Sequence, residues 1–160
     1  LNDLVPKALA LMSEASRPQV VHQSGAQQIE ALRSNYAQAG VVAELTPFIE
    51  DTAQAFADAD LVIGRAGAST VTEIAAVGAA VLFVPFPAAV DDHQTLNARF
   101  LVEAGGGWLI QQSDLTPEGL AGLLQTMTRA NLLARAEAAH QMKKINATAS
   151  VVAACEELAR

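Results

Sequence analysis

One stretch of the chain, residues 60–73, constrains the fold more than any other. Aliphatic residues end at Gly64, a loop of small residues follows, and a helical pattern then begins with hydroxyl side chains and a carboxylate. Glycine and alanine let backbone amides approach a ligand closely. A helix N-terminus adds unpaired N–H groups and partial positive charge. The stretch therefore predicts a strand–loop–helix unit that can bind a diphosphate.

Glu73 has a different predicted role at the end of this stretch. Its carboxylate would repel a phosphate, but it can accept hydrogen bonds from the hydroxyl groups of a neighbouring ribose. A structural alternative stays open, because Thr70 to Glu73 also fits a capping box, in which a hydroxyl and a carboxylate satisfy backbone amides.

Length and composition indicate one globular domain over residues 1–160. Half of the residues are apolar (51%) and only 17% are charged, which excludes intrinsic disorder and allows a real core. The net charge of −7 argues against a nucleic-acid partner and against binding to anionic lipid through this surface. A local group of backbone amides can still bind an anion in such a protein.

Cysteine and histidine usage excludes two further classes of site. The single Cys155 rules out an internal disulfide, and its helical spacing with neighbouring valines predicts a buried packing position. His22, His93 and His140 are scattered without the spacing of a zinc site. The composition predicts a soluble chain. No apolar run reaches membrane-spanning length, and we expect no signal peptide.

Strand and helix patterns alternate along the chain almost without exception. Strands are predicted over residues 19–22, 41–45, 60–63, 80–84 and 108–110. Helices are predicted over residues 1–12, 26–39, 50–56, 69–77, 93–104, 132–144 and 147–159, with one more beginning at Thr116–Pro117. This alternation predicts an α/β fold, a Rossmann-like parallel sheet with helices on both faces. Ligands bind beyond the carboxyl ends of strands in such sheets, so the candidate loops are 23–25, 47–51, 64–69 and 85–93.

Two common nucleotide-binding motifs do not fit. A dinucleotide fingerprint needs G-x-G-x-x-G and an acid at the end of the next strand. Gly64 and Gly67 have the wrong spacing, and the next strand ends at Val84–Pro85. The phosphate-binding pattern that ends in Gly-Lys-Ser/Thr is absent as well.

A second polar segment follows the apolar strand at residues 80–84. Asp91 or Asp92 is expected to cap the next helix. His93 and Gln94 follow in its first turn, and a neutral polar pair suits sugar hydroxyls better than phosphate. Simple exposure to solvent is the alternative for both.

Several motifs together resemble the carboxy-terminal half of the MurG family. They are Gly67 to Glu73, Phe83 to Phe86 and Asp92 to Ala98, with His22 to Gly25, Phe48–Ile49 and Leu115 to Glu118 in the family's order. The family comprises bacterial enzymes that transfer N-acetylglucosamine (GlcNAc) from UDP-GlcNAc to lipid I, forming lipid II for peptidoglycan. The resemblance implies the C-terminal, donor-binding half of a two-domain GT-B glycosyltransferase.

The resemblance also implies a set of substrate-binding residues. The uracil should meet the backbone of Ile49, with Phe48 shaping its pocket. The diphosphate and ribose should meet the loop and first helical turn, namely Gly67, Ala68, Ser69, Thr70, Val71 and Thr72. Glu73 should hold the ribose hydroxyls, and Gln94, aided by His93, should reach hydroxyls of GlcNAc. His22 to Gly25 should lie near the donor without an assigned chemical step.

The rest of the expected enzyme lies outside the chain. The resemblance implies that a first strand and an N-terminal domain precede Leu1, and that this domain supplies the general base, the lipid I site and the membrane contact at the cytoplasmic face of the inner membrane. The implied reaction is direct displacement at the anomeric carbon with inversion, in which backbone amides stabilise the departing UDP. No catalytic residue, metal ligand or cofactor is expected in the chain, which should bind donor without turnover.

Two other functional interpretations stay open. One is a partner-dependent transferase subunit, like the eukaryotic subunit that adds the second GlcNAc to a dolichol-linked chain. The other is a nucleotide-sugar-binding module without catalysis, such as a sensor.

Overall fold

A computed structural model of the chain describes residues 1–88 and 90–159. In these residues eight α-helices alternate with five β-strands. The order is α1 (Leu4–Ala10), β1 (Val21–Gln23), α2 (Ile29–Ala39), β2 (Glu44–Thr46), α3 (Thr52–Asp58), β3 (Val62–Gly64), α4 (Ala68–Val77), β4 (Val81–Phe83), α5 (His93–Val102), β5 (Gly107–Leu109), α6 (Pro117–Thr126), α7 (Arg129–Gln141) and α8 (Ala147–Leu158). Short 3₁₀ turns cover Glu14–Ser16 and Val90–Asp92.

The chain divides into two compact bodies. The first body comprises Leu1–Ala55 with Ser113–Thr128, and the second comprises Phe56–Gln112 with the segment from Arg129 onward.

The first body contains one pair of parallel strands. β1 pairs with β2, with His22 opposite Leu45. Helix α1 packs against α2 and α6, and the side chains of Leu9, Leu32 and Leu120 are fully buried.

The second body contains a three-stranded parallel sheet in the order β3-β4-β5. The central strand β4 is buried along its whole length, as expected for an apolar run covered on both faces. Helix α4 packs against α5 and α7. The carboxyl ends of the three strands therefore meet at one edge, which is where the loop after Gly64 begins.

The predicted fold class, a parallel α/β architecture with helices on both sides, is confirmed. The sequence indicates one sheet, whereas the described strands form two separate ladders. The strands are also shorter than predicted, and Val42, placed in a predicted strand, is 96% exposed. Apolar composition marks where a strand can form, but only the partner strand determines which residues join the ladder.

Three predicted helix boundaries are confirmed. Gly40 and Gly78 end α2 and α4 in the left-handed conformation, with φ of +62° and +81°, which glycine adopts without steric cost. Thr116 caps α6, since its hydroxyl accepts a hydrogen bond from the backbone N–H of Gly119 at 3.0 Å, and Pro117 takes the first helical position.

Helix α8 is exposed along its whole length. None of its residues is buried, and Val151 and Val152 are at least half exposed. Cys155 is exposed as well, so the predicted buried position of this cysteine is wrong. Helical spacing shows that residues share a face, but it does not show what covers that face. No helix in the described residues is long and apolar enough to cross a membrane.

Candidate functional site

The N-terminus of α4 begins without a side-chain cap. Its N-cap residue is Gly67, in the extended conformation, and the first intrahelical hydrogen bond runs from the Val71 N–H to the Gly67 carbonyl at 3.0 Å. In the described residues the N–H groups of Ala68, Ser69 and Thr70 have no protein acceptor. Such a helix end presents donors and partial positive charge to an anion.

The position at which α4 begins excludes a capping box formed by Thr70 and Glu73. The helix starts at Ala68, so Thr70 is its third residue and cannot act as the N-cap. Thr70 and Glu73 are instead three residues apart on the helix, a spacing that places two side chains on the same face. Glu73 is half-buried there.

Two other side chains of the predicted site make contacts within the protein. The side chain of Val71 is buried in the core with Ile74 and Phe83, because it lies on the opposite face of the helix. The Thr72 hydroxyl donates a hydrogen bond to the Ala68 carbonyl at 2.8 Å. The expectation that the residues from Gly67 to Thr72 line the ligand stays a prediction, and for Val71 it concerns the backbone because the side chain belongs to the core.

Ala66, just before the N-cap, is held by two side chains of α5. The Gln94 side-chain oxygen accepts hydrogen bonds from the N–H groups of Ala66 (3.3 Å) and Phe86 (2.9 Å). The Asn97 amide nitrogen donates to the Ala66 carbonyl at 3.0 Å. Because two backbone donors converge on one Gln94 atom, that atom is the oxygen. Helix α5 thus sets the backbone of the loop that leads into α4.

These hydrogen bonds limit which atoms of the Gln94 side chain can contact a sugar. Its oxygen is used within the protein, whereas its amide nitrogen makes no hydrogen bond in the described residues. Only that nitrogen can meet a sugar hydroxyl, as a donor. His93, the first residue of α5, is exposed beside it.

The start of α5 is stabilised by a chain of side-chain hydrogen bonds. Asp91 and Asp92 have φ of +51° and +52°, and Asp92 occupies the N-cap position. Its carboxylate accepts from the Thr95 hydroxyl at 2.6 Å, and no backbone N–H is capped. Gln111 donates to that hydroxyl at 2.9 Å. Asp92 is therefore the N-cap residue, as predicted, but its carboxylate binds the Thr95 hydroxyl and not a backbone N–H.

Sequence reasoning missed Arg65, which follows β3 directly. Its guanidinium donates to the carbonyls of Val84 (2.9 Å) and Pro85 (2.8 Å) and to the side-chain oxygen of Gln112 (2.6 Å). It also lies 5.4 Å from the centre of the Phe86 ring. Burial lowers the pKa of Arg65 below its ordinary value. The sequence feature that could have identified Arg65 is a single cationic residue between an apolar strand and a loop of small residues.

The first body contains the residues predicted to meet the uracil. The Thr46 hydroxyl donates to the Phe48 carbonyl at 2.8 Å and accepts from the Phe48 N–H at 3.3 Å, which holds the turn after β2. The Phe48 side chain is 65% exposed. In the described residues the backbone N–H and carbonyl of Ile49 make no hydrogen bond, so both are available to a base.

His22, also in the first body, is bound within the protein. Its Nε2 lies 3.2 Å from the Asn2 side-chain oxygen and its Nδ1 lies 2.9 Å from the Tyr36 hydroxyl. Because the Asn2 oxygen accepts, we assign the proton to Nε2, and Nδ1 then accepts from Tyr36. Burial lowers the pKa of His22 to about 4 and raises that of Tyr36 to about 12. His22 is therefore neutral at pH 7 and has a structural role.

Two cavities are lined by residues outside the loop before α4. A cavity of about 440 Å³ in the second body is lined by residues that include Asp60, Arg129 and Leu133. One of about 220 Å³ in the first body is lined by residues that include Lys7 and Asn35. Across the part of the chain that the structure describes, no three His, Cys, Asp or Glu side chains are grouped as metal ligands.

The parallel strands, the uncapped helix and the loop held by α5 define an α/β domain of the class that binds phosphorylated ligands beyond the carboxyl ends of its strands. Residues 1–153 match the model of the glycosyltransferase family 28 C-terminal domain, and the chain belongs to this family.

Relatives of known name agree with this assignment. A protein of Polaromonas naphthalenivorans (strain CJ2) is 74% identical over 159 residues, which are 99% of this chain and 44% of that protein. One of Acidovorax sp. (strain JS42) is 70% identical over 160 residues, all of this chain and 40% of that protein. Both carry the name UDP-N-acetylglucosamine–N-acetylmuramyl-(pentapeptide) pyrophosphoryl-undecaprenol N-acetylglucosamine transferase.

Two solved structures are similar as well. MurG of Acinetobacter baumannii is 46% identical with a TM-score of 0.89, over 98% of this chain and 48% of that one. The glycosyltransferase VinC, solved with dTDP, is 22% identical with a TM-score of 0.62, over 88% of this chain and 32% of that one, and shows the fold alone. The resemblance to the MurG family is thus confirmed, and the chain spans less than half the length of these relatives.

Proposed function

We propose that the chain is a single UDP-sugar donor-binding domain, part of an enzyme that transfers GlcNAc from UDP-GlcNAc to lipid I in peptidoglycan synthesis. The names of the two bacterial relatives, at 74% and 70% identity, support this substrate pair. Because the chain spans only 44% and 40% of their lengths, the acceptor site and the general base are proposed to lie in a further domain.

The observation that carries the proposal is the uncapped N-terminus of α4 behind a glycine N-cap. The N–H groups of Ala68, Ser69 and Thr70 lack acceptors in the described residues, and helix N-termini with such groups favour phosphate. Glu73 lies on the same face as Thr70, far enough along the helix to accept hydrogen bonds from ribose hydroxyls beside the diphosphate.

Further donor contacts are proposed in each body separately. The free amide nitrogen of Gln94, with His93 beside it, supports a contact with GlcNAc hydroxyls. The unpaired backbone groups of Ile49 and the exposed ring of Phe48 support the proposed uracil contact. Ile49 would offer one donor and one acceptor to the base edge, and Phe48 an apolar surface.

The proposed reaction is an inverting displacement at the anomeric carbon. A lipid I hydroxyl attacks and gives its proton to the general base of the further domain, the bond from the anomeric carbon to the diphosphate breaks, and UDP leaves with increased negative charge. Backbone donors that are already oriented stabilise such charge without reorganising in the transition state. The proposed location is the cytoplasmic face of the inner membrane, with membrane contact through the further domain.

Calorimetry on the chain with UDP-GlcNAc, UDP-glucose and NAD tests the proposal. We expect both UDP-sugars to bind and NAD, which carries a diphosphate but no uracil, not to bind. NAD binding as tightly as UDP-GlcNAc, or no binding of either UDP-sugar, would contradict the proposal. Turnover is expected only in a longer protein that contains the acceptor domain.

A further inference from the structure

We infer that Gln111 and Gln112, which follow β5, are positioning residues for the donor site. The inference rests on the proposed function. Neither residue belongs to the predicted ligand contacts, and each is joined by a hydrogen bond to a different element beside the loop before α4. We call this pair the glutamine brace.

Gln112 orients Arg65. Its side-chain oxygen accepts from the Arg65 guanidinium at 2.6 Å, and the other arm of that guanidinium donates to the carbonyls of Val84 and Pro85. Arg65 follows β3, Val84 and Pro85 follow β4, and Gln112 follows β5. The interaction therefore ties together the carboxyl ends of all three strands, immediately before the loop that leads into α4.

Gln111 stabilises the start of α5. Its amide nitrogen donates to the hydroxyl of Thr95, which is only 5% exposed, and that hydroxyl donates to the carboxylate of Asp92. The turn fixed in this way carries Gln94, whose oxygen accepts from the N–H of Ala66. A change at Gln111 is thus transmitted to the backbone next to the N-cap of α4.

The two connections converge on the same short loop. Arg65 and Ala66 are adjacent, and the brace holds one directly and the other through α5. Catalytic and binding groups need support to within about half an ångström of their productive geometry. Because Gln112 is exposed and Gln111 half-buried, the brace contributes to loop geometry more than to the core, so its loss should affect donor affinity more than stability.

The test uses the variants Gln111→Leu, Gln112→Leu and Gln112→Glu, with Gln141→Leu as the matched control. Gln141 is an exposed glutamine of the same body whose side chain makes no hydrogen bond in the described residues. Three quantities are measured for each variant: the Kd for UDP-GlcNAc by calorimetry, the urea unfolding midpoint, and the hydrogen-exchange rates of the Ala66 and Phe86 amides by NMR.

We expect each leucine variant of the brace to weaken UDP-GlcNAc binding about fivefold to tenfold, the order expected for a lost polar contact. Exchange of the Ala66 and Phe86 amides should accelerate in both, with little change in the unfolding midpoint. Gln112→Glu keeps an acceptor for Arg65 and should retain slow exchange. Gln141→Leu should match the wild type in all three measurements.

Unchanged affinity and unchanged exchange in both leucine variants would overturn the inference. A fall in the unfolding midpoint that accounts for the whole loss of affinity would overturn it as well, because the brace would then be only structural. If the wild-type chain itself does not bind UDP-GlcNAc, the proposed function fails. The exchange rates would still decide whether the two glutamines hold the loop.

Discussion

Gln94 and Ala66, 28 residues apart in the chain, are joined by a hydrogen bond of 3.3 Å from the Ala66 N–H to the Gln94 side-chain oxygen. The same oxygen accepts from the Phe86 N–H at 2.9 Å. One side chain of α5 therefore connects the loop after β3 with the loop after β4. A residue expected to serve the ligand also holds the backbone on which the proposed site depends.

Replacing Gln94 by Leu should destabilise the chain. The substitution leaves the N–H of the buried Ala66 without an acceptor, which costs about 1–2 kcal/mol of unfolding free energy, whereas the N–H of the exposed Phe86 can bind water. Gln94→Glu keeps an acceptor oxygen and should retain stability, while its negative charge should weaken binding of the UDP-sugar. Urea unfolding and calorimetry measure the two effects. Equal stability of Gln94→Leu and the wild type would contradict the structural role of Gln94.

Replacing Glu73 by Ala should weaken UDP-GlcNAc binding by about 1.5–3 kcal/mol, the usual contribution of a hydrogen bond to a charged group. The physical reason is the loss of the acceptor for the ribose hydroxyls. Calorimetry gives the affinity. Glu137→Ala is the control, since Glu137 is an exposed carboxylate on α7 and its removal should leave the affinity as it is. An unchanged Kd for Glu73→Ala would contradict the ribose contact.

Replacing Phe48 by Ala should weaken binding of UDP by about 1 kcal/mol with little loss of stability. The ring is 65% exposed, so it adds little to the core, whereas stacking or edge contact of an aromatic ring with a partner ring contributes about 0.5–1.5 kcal/mol. Val42→Ala is the control, because Val42 is 96% exposed in the same body. Equal affinity of Phe48→Ala and the wild type for UDP would argue against a uracil contact at this residue.

Stability should fall as the pH is lowered from 6.5 to about 4, because of His22. Burial lowers its folded-state pKa from 6.5 to about 4, so in this window the unfolded chain binds a proton that the folded chain does not. The contribution is fully present above pH 6.5 and is lost as the pH falls towards 4. The shift sets an upper limit of about 3 kcal/mol, and partial exposure to water reduces this to about 1–2 kcal/mol.

Urea unfolding between pH 7.5 and pH 4 measures this effect. His22→Gln cannot take up the proton and should show a smaller loss of stability over the same range, although it is less stable at pH 7 because the hydrogen bond with Tyr36 changes. Parallel pH profiles of the variant and the wild type would show that His22 is not the group responsible.

Gly78→Ala should be more destabilising than Gly40→Ala. Both glycines have positive φ, of +81° and +62°, and a left-handed non-glycine residue costs about 1–2 kcal/mol. A Cβ at Gly78 would also lie 2.9 Å from the Cβ of His140, whereas a Cβ at Gly40 meets nothing within 4 Å. Differential scanning calorimetry of the two variants measures the two losses of stability. The double variant Gly78→Ala/His140→Ala relieves the contact and so separates the cost of backbone strain from the cost of the steric contact. Equal losses would contradict the packing of His140 on α4.

The local features of the fold could be predicted with good accuracy. The glycines that end α2 and α4, and Thr116–Pro117 at the start of α6, act through the backbone preferences of single residues. The loop before α4 could be recognised for the same reason, because small residues between an apolar strand and a helical pattern are contiguous in sequence.

The contacts that hold the candidate site could not be predicted in this way. Arg65 and Gln112 are 47 residues apart, and no local pattern indicates that they meet. Val71 lies within the recognised motif, yet its side chain belongs to the core, because the turn of the helix separates residues that are neighbours in sequence.

The sequence by itself determined the alternation of strands and helices, the glycine ends of α2 and α4, the start of α6 and the loop of small residues before α4, since each depends on the backbone preferences of residues close together in the chain. Only the tertiary structure decided which strands pair, which side of α4 is buried, and that Gln94, Asn97 and Arg65 hold the loop. Those outcomes depend on hydrogen bonds and packing between distant residues, which exist only once the chain is folded.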